Sequence, residues 1–221
     1  VAHRPQIPDG LSLEPLDLRA MEKLDWKPES GPGLVTLADW PPGKSNQTLV
    51  ALAEILPKGP DGQPTPGTVT LAGVPFRLDH PATLLALPAA RQGYIKLPVG
   101  RKADWLFFLH AAAGAEPGTP GAYYRITYAD GDTMNMSFVV GQNCADCLAP
   151  DPEAFFARER GANSAVAWKG KTPDGRDVAI HRMAWPNHRP DVPITDIQIW
   201  RQPNGADWAV LGITLGRTTG P

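Results

Sequence analysis

A pyranose presents a C–H face and a rim of hydroxyls. Holding one takes the face of an aromatic ring with planar polar groups beside it. Trp185-Pro186-Asn187-His188-Arg189 is the densest such cluster in the chain, with one ring and three polar side chains in a loop. A second reading of the same residues makes Trp185 a cap on the core and Asn187 a turn residue bonding the backbone. Trp168 precedes Lys169-Gly170-Lys171 and is either a stacking platform or a ring at the core's edge. In 194–200, Ile197 and Ile199 share one strand face while Asp196, Gln198 and Trp200 share the other. That places Trp200 on a polar face, where a ring hints at a binding surface. Trp26 and Trp40, in Pro/Gly-rich stretches, are expected to cover a sheet edge.

Other side chains suggest other chemistry. Asp17, Asp130 and Asp132 are candidate oxygen ligands for a structural Ca2+, although turn formation also explains the last two. Cys144-Ala-Asp-Cys147 has CxxC spacing but lies in a stretch that reads as loop. A local disulfide or idle thiols, part of a metal site, and redox work are its three readings. His110 ends an apolar run and reads as a core histidine rather than a base. Glu54, Glu116, Glu153 and Glu159 are carboxylates that an enzyme acting on glycans could use. No GxSxG, HExxH, P-loop or GxGxxG motif is present.

These residues need a scaffold, and composition bounds it. The 221 residues include 22 Gly and 25 Pro, about a fifth of the chain, against roughly 12% in average usage. Interior proline costs a helix about 3 kcal/mol, so a helical bundle is excluded. The net charge of −2 offers nothing to nucleic acid or anionic lipid. No apolar run approaches the roughly 18 residues of a membrane helix. Val1 reads as a cut end, from a processed secretory protein or a domain excised from a longer one.

Short stretches rich in β-branched and aromatic residues read as strands at 34–37, 47–56, 68–71, 74–79, 83–87, 93–97, 104–111, 122–129, 132–140, 164–169, 176–184, 193–201 and 208–215. The one good helix candidate is 151–160, with Asp151 as N-cap, Pro152 at the first turn and Gly161 as stop. Another short turn is expected at 17–24. The run Trp105-Leu-Phe-Phe-Leu-His110-Ala-Ala-Ala, apolar on both faces, predicts a central strand covered on both sides. Around Asp130-Gly131 a two-residue turn would put the two apolar sets on opposite faces. A three-residue loop with Gly131 in the left-handed region instead pairs Ile126 with Met134 and Tyr124 with Met136. The prediction is an all-β single domain over 1–221, a two-sheet antiparallel β-sandwich of jelly-roll type with at most one or two short helices.

The order Gly73-Val-Pro-Phe76, Ile95-Lys-Leu-Pro-Val-Gly-Arg-Lys-Ala103, Leu106-Phe-Phe-Leu-His110-Ala, Tyr124-Arg-Ile-Thr-Tyr-Ala-Asp-Gly131, Ala167-Trp168, Trp185-Pro-Asn-His-Arg-Pro190 and Leu211-Gly-Ile-Thr214, opened by Leu16-Asp-Leu18, resembles the galactose-binding-like β-sandwich modules carried by bacterial, often secreted, glycoside hydrolases. The resemblance implies a non-catalytic accessory module that binds a polysaccharide or oligosaccharide beside other domains of a parent protein, often with a structural calcium. The expected carbohydrate-binding residues are Trp185, Asn187, His188, Arg189, Trp168 and Trp200, with Asp17, Asp130 and Asp132 for the metal. A ligand-free interdomain spacer and a small glycan-active or metal-dependent enzyme are the alternatives.

Overall fold

The hairpin around Gly131 folds as its side-chain pattern demands. Strands β9 (Pro120–Tyr128) and β10 (Thr133–Val139) pair Ile126 with Met134 and Tyr124 with Met136. Gly131 takes φ +90°, and its N–H donates to the Tyr128 carbonyl at 2.9 Å. Only this odd-length loop puts both apolar sets on one face.

The structure is a computed structural model that describes residues 7–20, 22–23, 33–36, 40–41, 46–78, 83–87, 94–149, 151, 163–202 and 205–219. The remaining strands are β1 (Leu11–Pro15), β2 (Glu22–Lys23), β3 (Gly33–Thr36), β4 (Gly67–Leu71), β5 (Val74–Leu78), β6 (Thr83–Leu87), β7 (Tyr94–Arg101), β8 (Trp105–Ala113), β11 (Ser164–Lys171), β12 (Asp177–Pro186), β13 (Ile194–Arg201) and β14 (Asp207–Thr218). Two antiparallel sheets form a sandwich. One runs β11-β12-β8-β14-β6-β3, with β1 also on β14; the other runs β10-β9-β13-β7-β2.

Strand β8 is central and buried from end to end. Its Leu106, Phe108 and Ala112 join Tyr124, Ile126, Phe138, Ile197 and Ile199 of the facing sheet in an inner core. Its Trp105, Phe107, Leu109, Ala111 and Ala113 turn to an outer core, roofed by the separate β4–β5 hairpin and by Leu49, Leu52 and Leu56. The double coverage expected of this strand is therefore met by an extra layer on its outer side. His110 is fully buried, edge-on to Phe138 at 4.9 Å and beside Trp208 at 4.8 Å. The Trp208 indole reaches that depth over Gly121, where a Cβ would stand 2.6 Å from the ring.

Two expectations are corrected. The segment 47–56 is not a strand; Val50–Ile55 is a 3-10 helix. Leu52 within it and the flanking Leu49 and Leu56 are buried, spaced three and four apart, so the helical period prevails over β propensity. Strand β1 was not among the predicted strands, and the turn at 17–24 resolves into a 3-10 turn at Leu18–Ala20 followed by β2. Residues 152–160 of the proposed helix and Trp26 lie outside the described residues. Trp40 is fully buried in the outer core. No helix among the described residues is long and apolar enough to cross a membrane.

Candidate functional site

The loop after β12 draws its polar residues inward. Trp185, 9% exposed, belongs to the inner core, with exposed His188 edge-on to it at 5.6 Å. Asn187 is buried and uses its whole hydrogen-bonding capacity. Its amide donates to the carbonyls of Ala103 at 2.7 Å and Arg189 at 3.2 Å. Its oxygen accepts from the Tyr128 hydroxyl at 2.6 Å and the Arg189 N–H at 3.0 Å. Arg189 donates from Nη1 to Asp130 at 3.1 Å and Asp132 at 2.8 Å, and from Nη2 to Asp130 at 2.5 Å. Its guanidinium lies 5.0 Å over the Tyr128 ring. The hydrogen bond from Arg189 holds the Asp130 carboxyl below its usual range. The structure thus brings Asn187 and Arg189, expected to meet a sugar, together with Asp130 and Asp132, expected to meet calcium. They form a latch between the β9–β10 turn and the β12–β13 loop.

Asp17 is engaged elsewhere. Arg19 donates to it from Nε at 2.9 Å and Nη2 at 2.7 Å, and Arg77 stands at 3.5 Å. The Arg19 hydrogen bond pulls its pKa down to about 2. The carboxylates that calcium would need are turned to guanidinium groups, so these three residues do not fit a shared calcium site. Among the described residues no group of three or more His, Cys, Asp or Glu is arranged to hold a metal. Cys144 and Cys147 are buried and not joined in a disulfide, Cys144 in the inner core and Cys147 in the outer one. Burial pushes the Cys144 thiol up, the opposite of what a redox nucleophile needs.

Trp200 lies on the outward face of the second sheet, half-buried, in a row of rings. Tyr94 of β7 stacks on it at 4.0 Å and 17°, Tyr123 of β9 at 5.7 Å and 5°. Register sets this row, since Trp200 pairs with Tyr94 on one side and Tyr123 on the other. The Arg125 guanidinium sits 5.6 Å from the indole, whose N–H donates to Gln198 at 3.1 Å. Both indole faces thus have aromatic neighbours, and each tyrosine keeps one face turned away from Trp200.

Trp168 has a different setting. It lies on edge strand β11, and its six-membered ring folds over Gly170, where any Cβ would collide with it. The indole lines a groove of about 840 Å3 between that strand and the 3-10 helix, with Val50, Glu54, Ile55, Lys171 and Thr172 among the other walls. Sequence reading named Trp168 but missed the opposite wall, because 50–55 read as strand. The seat under the ring was legible only as the glycine of Lys169-Gly170-Lys171. A smaller pocket of about 380 Å3 opens beside the cysteine loop, lined in part by Gln47, Glu116, Asp146 and Arg176. There the Asp146 carboxylate accepts from the N–H groups of Ala115 at 3.0 Å and Leu148 at 2.8 Å, so it pins the loop.

No protein-family profile and no curated protein matches the chain. Among solved structures it is similar to parts of GH87 alpha-1,3-glucanases. One is a catalytic domain in complex with tetrasaccharides, 14% identical, covering 63% of this chain and 22% of that one, TM-score 0.35. Another is the catalytic unit of a thermostable enzyme from Streptomyces thermodiastaticus strain HF3-3, 13% identical, covering 61% and 20%, TM-score 0.33. A third is a catalytic domain in complex with nigerose, 15% identical, covering 63% and 22%, TM-score 0.35. The chain spans about a fifth of the length of those structures.

Proposed function

We propose that this chain is a carbohydrate-binding module whose glycan site is the groove at Trp168, working beside other domains of a secreted, polysaccharide-active protein. The observation that carries the reading is the indole laid over Gly170 in a groove of about 840 Å3. Several features support it. The ring supplies a stacking face, Glu54 and Lys171 supply polar groups at the rim, and the volume lies in the range of small-ligand sites. Among the described residues Glu54 is the one carboxylate lining the groove, whereas glycoside hydrolysis by the usual route uses two flanking the bond. The chemistry on offer is stacking and hydrogen bonding, with affinity of about 4–8 kcal/mol per site. A galactose-binding-like sandwich is the fold class this reading adopts.

The test is binding to a panel of soluble and insoluble polysaccharides, comparing wild type with Trp168→Ala and Trp200→Ala, each checked for an unchanged melting temperature. The reading expects Trp168→Ala to lose binding and Trp200→Ala to keep it. Silence across the panel leaves the interdomain-spacer reading in its place. Binding that survives Trp168→Ala moves the site elsewhere.

A further inference from the structure

Several exposed arginines among the described residues have carboxylate acceptors. Arg19, Arg101, Arg189 and Arg217, with side chains 50%, 51%, 28% and 43% exposed, each stand within 4.0 Å of a carboxylate. Arg182 is the contrary case. It sits mid-strand in β12, only 8% exposed, and its buried Nε and Nη1 have no hydrogen-bond partner. Three N–H donors of a group that stays charged at any ordinary pH thus face no acceptor. An unpaired buried charge is among the costliest states a fold can hold, and natural structures keep one rarely without a use.

Its position says where an acceptor would come from. Along β12, Val178, Ile180 and Ala184 point to the outer core, so strand alternation sends Arg182 the same way. Its cross-strand neighbours are Leu109 on β8 and Ala165 on edge strand β11, where a methyl group leaves room. Trp168 pairs with Ile180, two residues from Arg182 and roughly 7 Å along the strand. Arg182 therefore lies on the same sheet face as the groove ring, one strand in from the edge and about one sugar unit further along.

We propose that Arg182 recognises an oxyanion on the glycan, a uronate carboxylate or a sulfate ester, so that the ligand class is an acidic polysaccharide. This rests on the glycan reading of the Trp168 groove and deepens it. Carboxylate and sulfate oxygens are the acceptors a planar guanidinium prefers. The anion converts the unpaired charge into a charge-assisted pair, so the cost held in the free protein favours the bound state.

The experiment titrates the full chain with an oligogalacturonate, a sulfated oligosaccharide and a neutral oligosaccharide, using wild type, Arg182→Met and Trp168→Ala. Wild type should bind one anionic ligand at least about tenfold more tightly than the neutral one, the factor expected of one charge-assisted hydrogen bond. Which of the two is preferred assigns the oxyanion. Arg182→Met should erase the preference, retain Trp168-dependent binding of the neutral sugar, and melt at the same or a higher temperature, because an unpaired charge has been removed. Neutral binding with no anionic preference, or a preference that survives Arg182→Met, overturns the proposal while leaving the glycan reading intact. A large fall in melting temperature for Arg182→Met also overturns it, since the guanidinium would then have an internal partner. If no glycan binds, the glycan reading fails, and free galacturonate or sulfate decides the Arg182 assignment. A dose-dependent rise in melting temperature that Arg182→Met lacks supports anion recognition; no rise in wild type overturns it.

Discussion

Two regions of this molecule hold aromatic and charged side chains in similar numbers and use them oppositely. The β12–β13 loop places Trp185 in the core and sets Asn187, Arg189, Asp130 and Asp132 against one another. The β11–β12 edge holds Trp168 over a glycine in an open groove and leaves Arg182 without an acceptor. Residue type states which chemistry is possible. The accounting of hydrogen bonds and ring faces states which of it is left for a ligand. By that accounting the loop is a structural joint and the edge is the proposed site.

Substitutions can break this contrast. The largest effect is expected at Trp185→Ala, about 3–5 kcal/mol of lost stability for a buried large aromatic. Chemical denaturation measures it, and glycan affinity of the folded fraction should be unchanged. A stable Trp185→Ala chain that no longer binds would reverse the roles of the two regions.

Acid comes next. His110 and His181 are fully buried and pair in register across β8 and β12. Desolvation holds both below their ordinary value, His181 at about 3. The unfolded chain takes up these protons near pH 6.5 and the native chain resists them. The stability of the neutral pair is therefore complete above pH 6.5 and falls as pH drops toward 3. The slope approaches about 2.7 kcal/mol per pH unit if both sites stay neutral in the fold. Melting curves from pH 7 to 4 read it, and His181→Leu should flatten the fall by roughly half.

Asn187→Ala should cost about 2–3 kcal/mol, because the Tyr128 hydroxyl and the Ala103 carbonyl lose a buried partner. The smallest effect belongs to Arg189→Ala, a shift in the unfolding midpoint smaller than that of Asn187→Ala, since its ion pairs face water. If that variant instead unfolds the protein, the latch carries far more than its exposed geometry implies.

Much of the architecture was legible because its signals are local. The hairpin at Gly131 followed from the parity of its apolar residues. The burial of β8 on both faces followed from an unbroken apolar run. The 3-10 helix at Val50–Ile55 reads as a strand by composition, and only the three-and-four spacing of Leu49, Leu52 and Leu56 marks it as helical. The site was harder to read. Stacking depends on what lies under a ring, and no sequence rule places Gly170 beneath Trp168 or a helix across from it. Arg182 did leave a trace, as the lone charge inside the apolar run from Val178 to Trp185. A strand buried on both sides gives a charge there nowhere easy to go.

The roof over the outer core sets a lower limit on how far this chain can be trimmed. A version starting at Tyr94 would retain most strands of both large sheets. It would also bare Phe107, Leu109 and Ala111 to water, together with Ile180 and Leu211, and create a sticky apolar flank. The residues before Tyr94, whose described elements are short strands and 3-10 turns, are what keep the remainder from clumping.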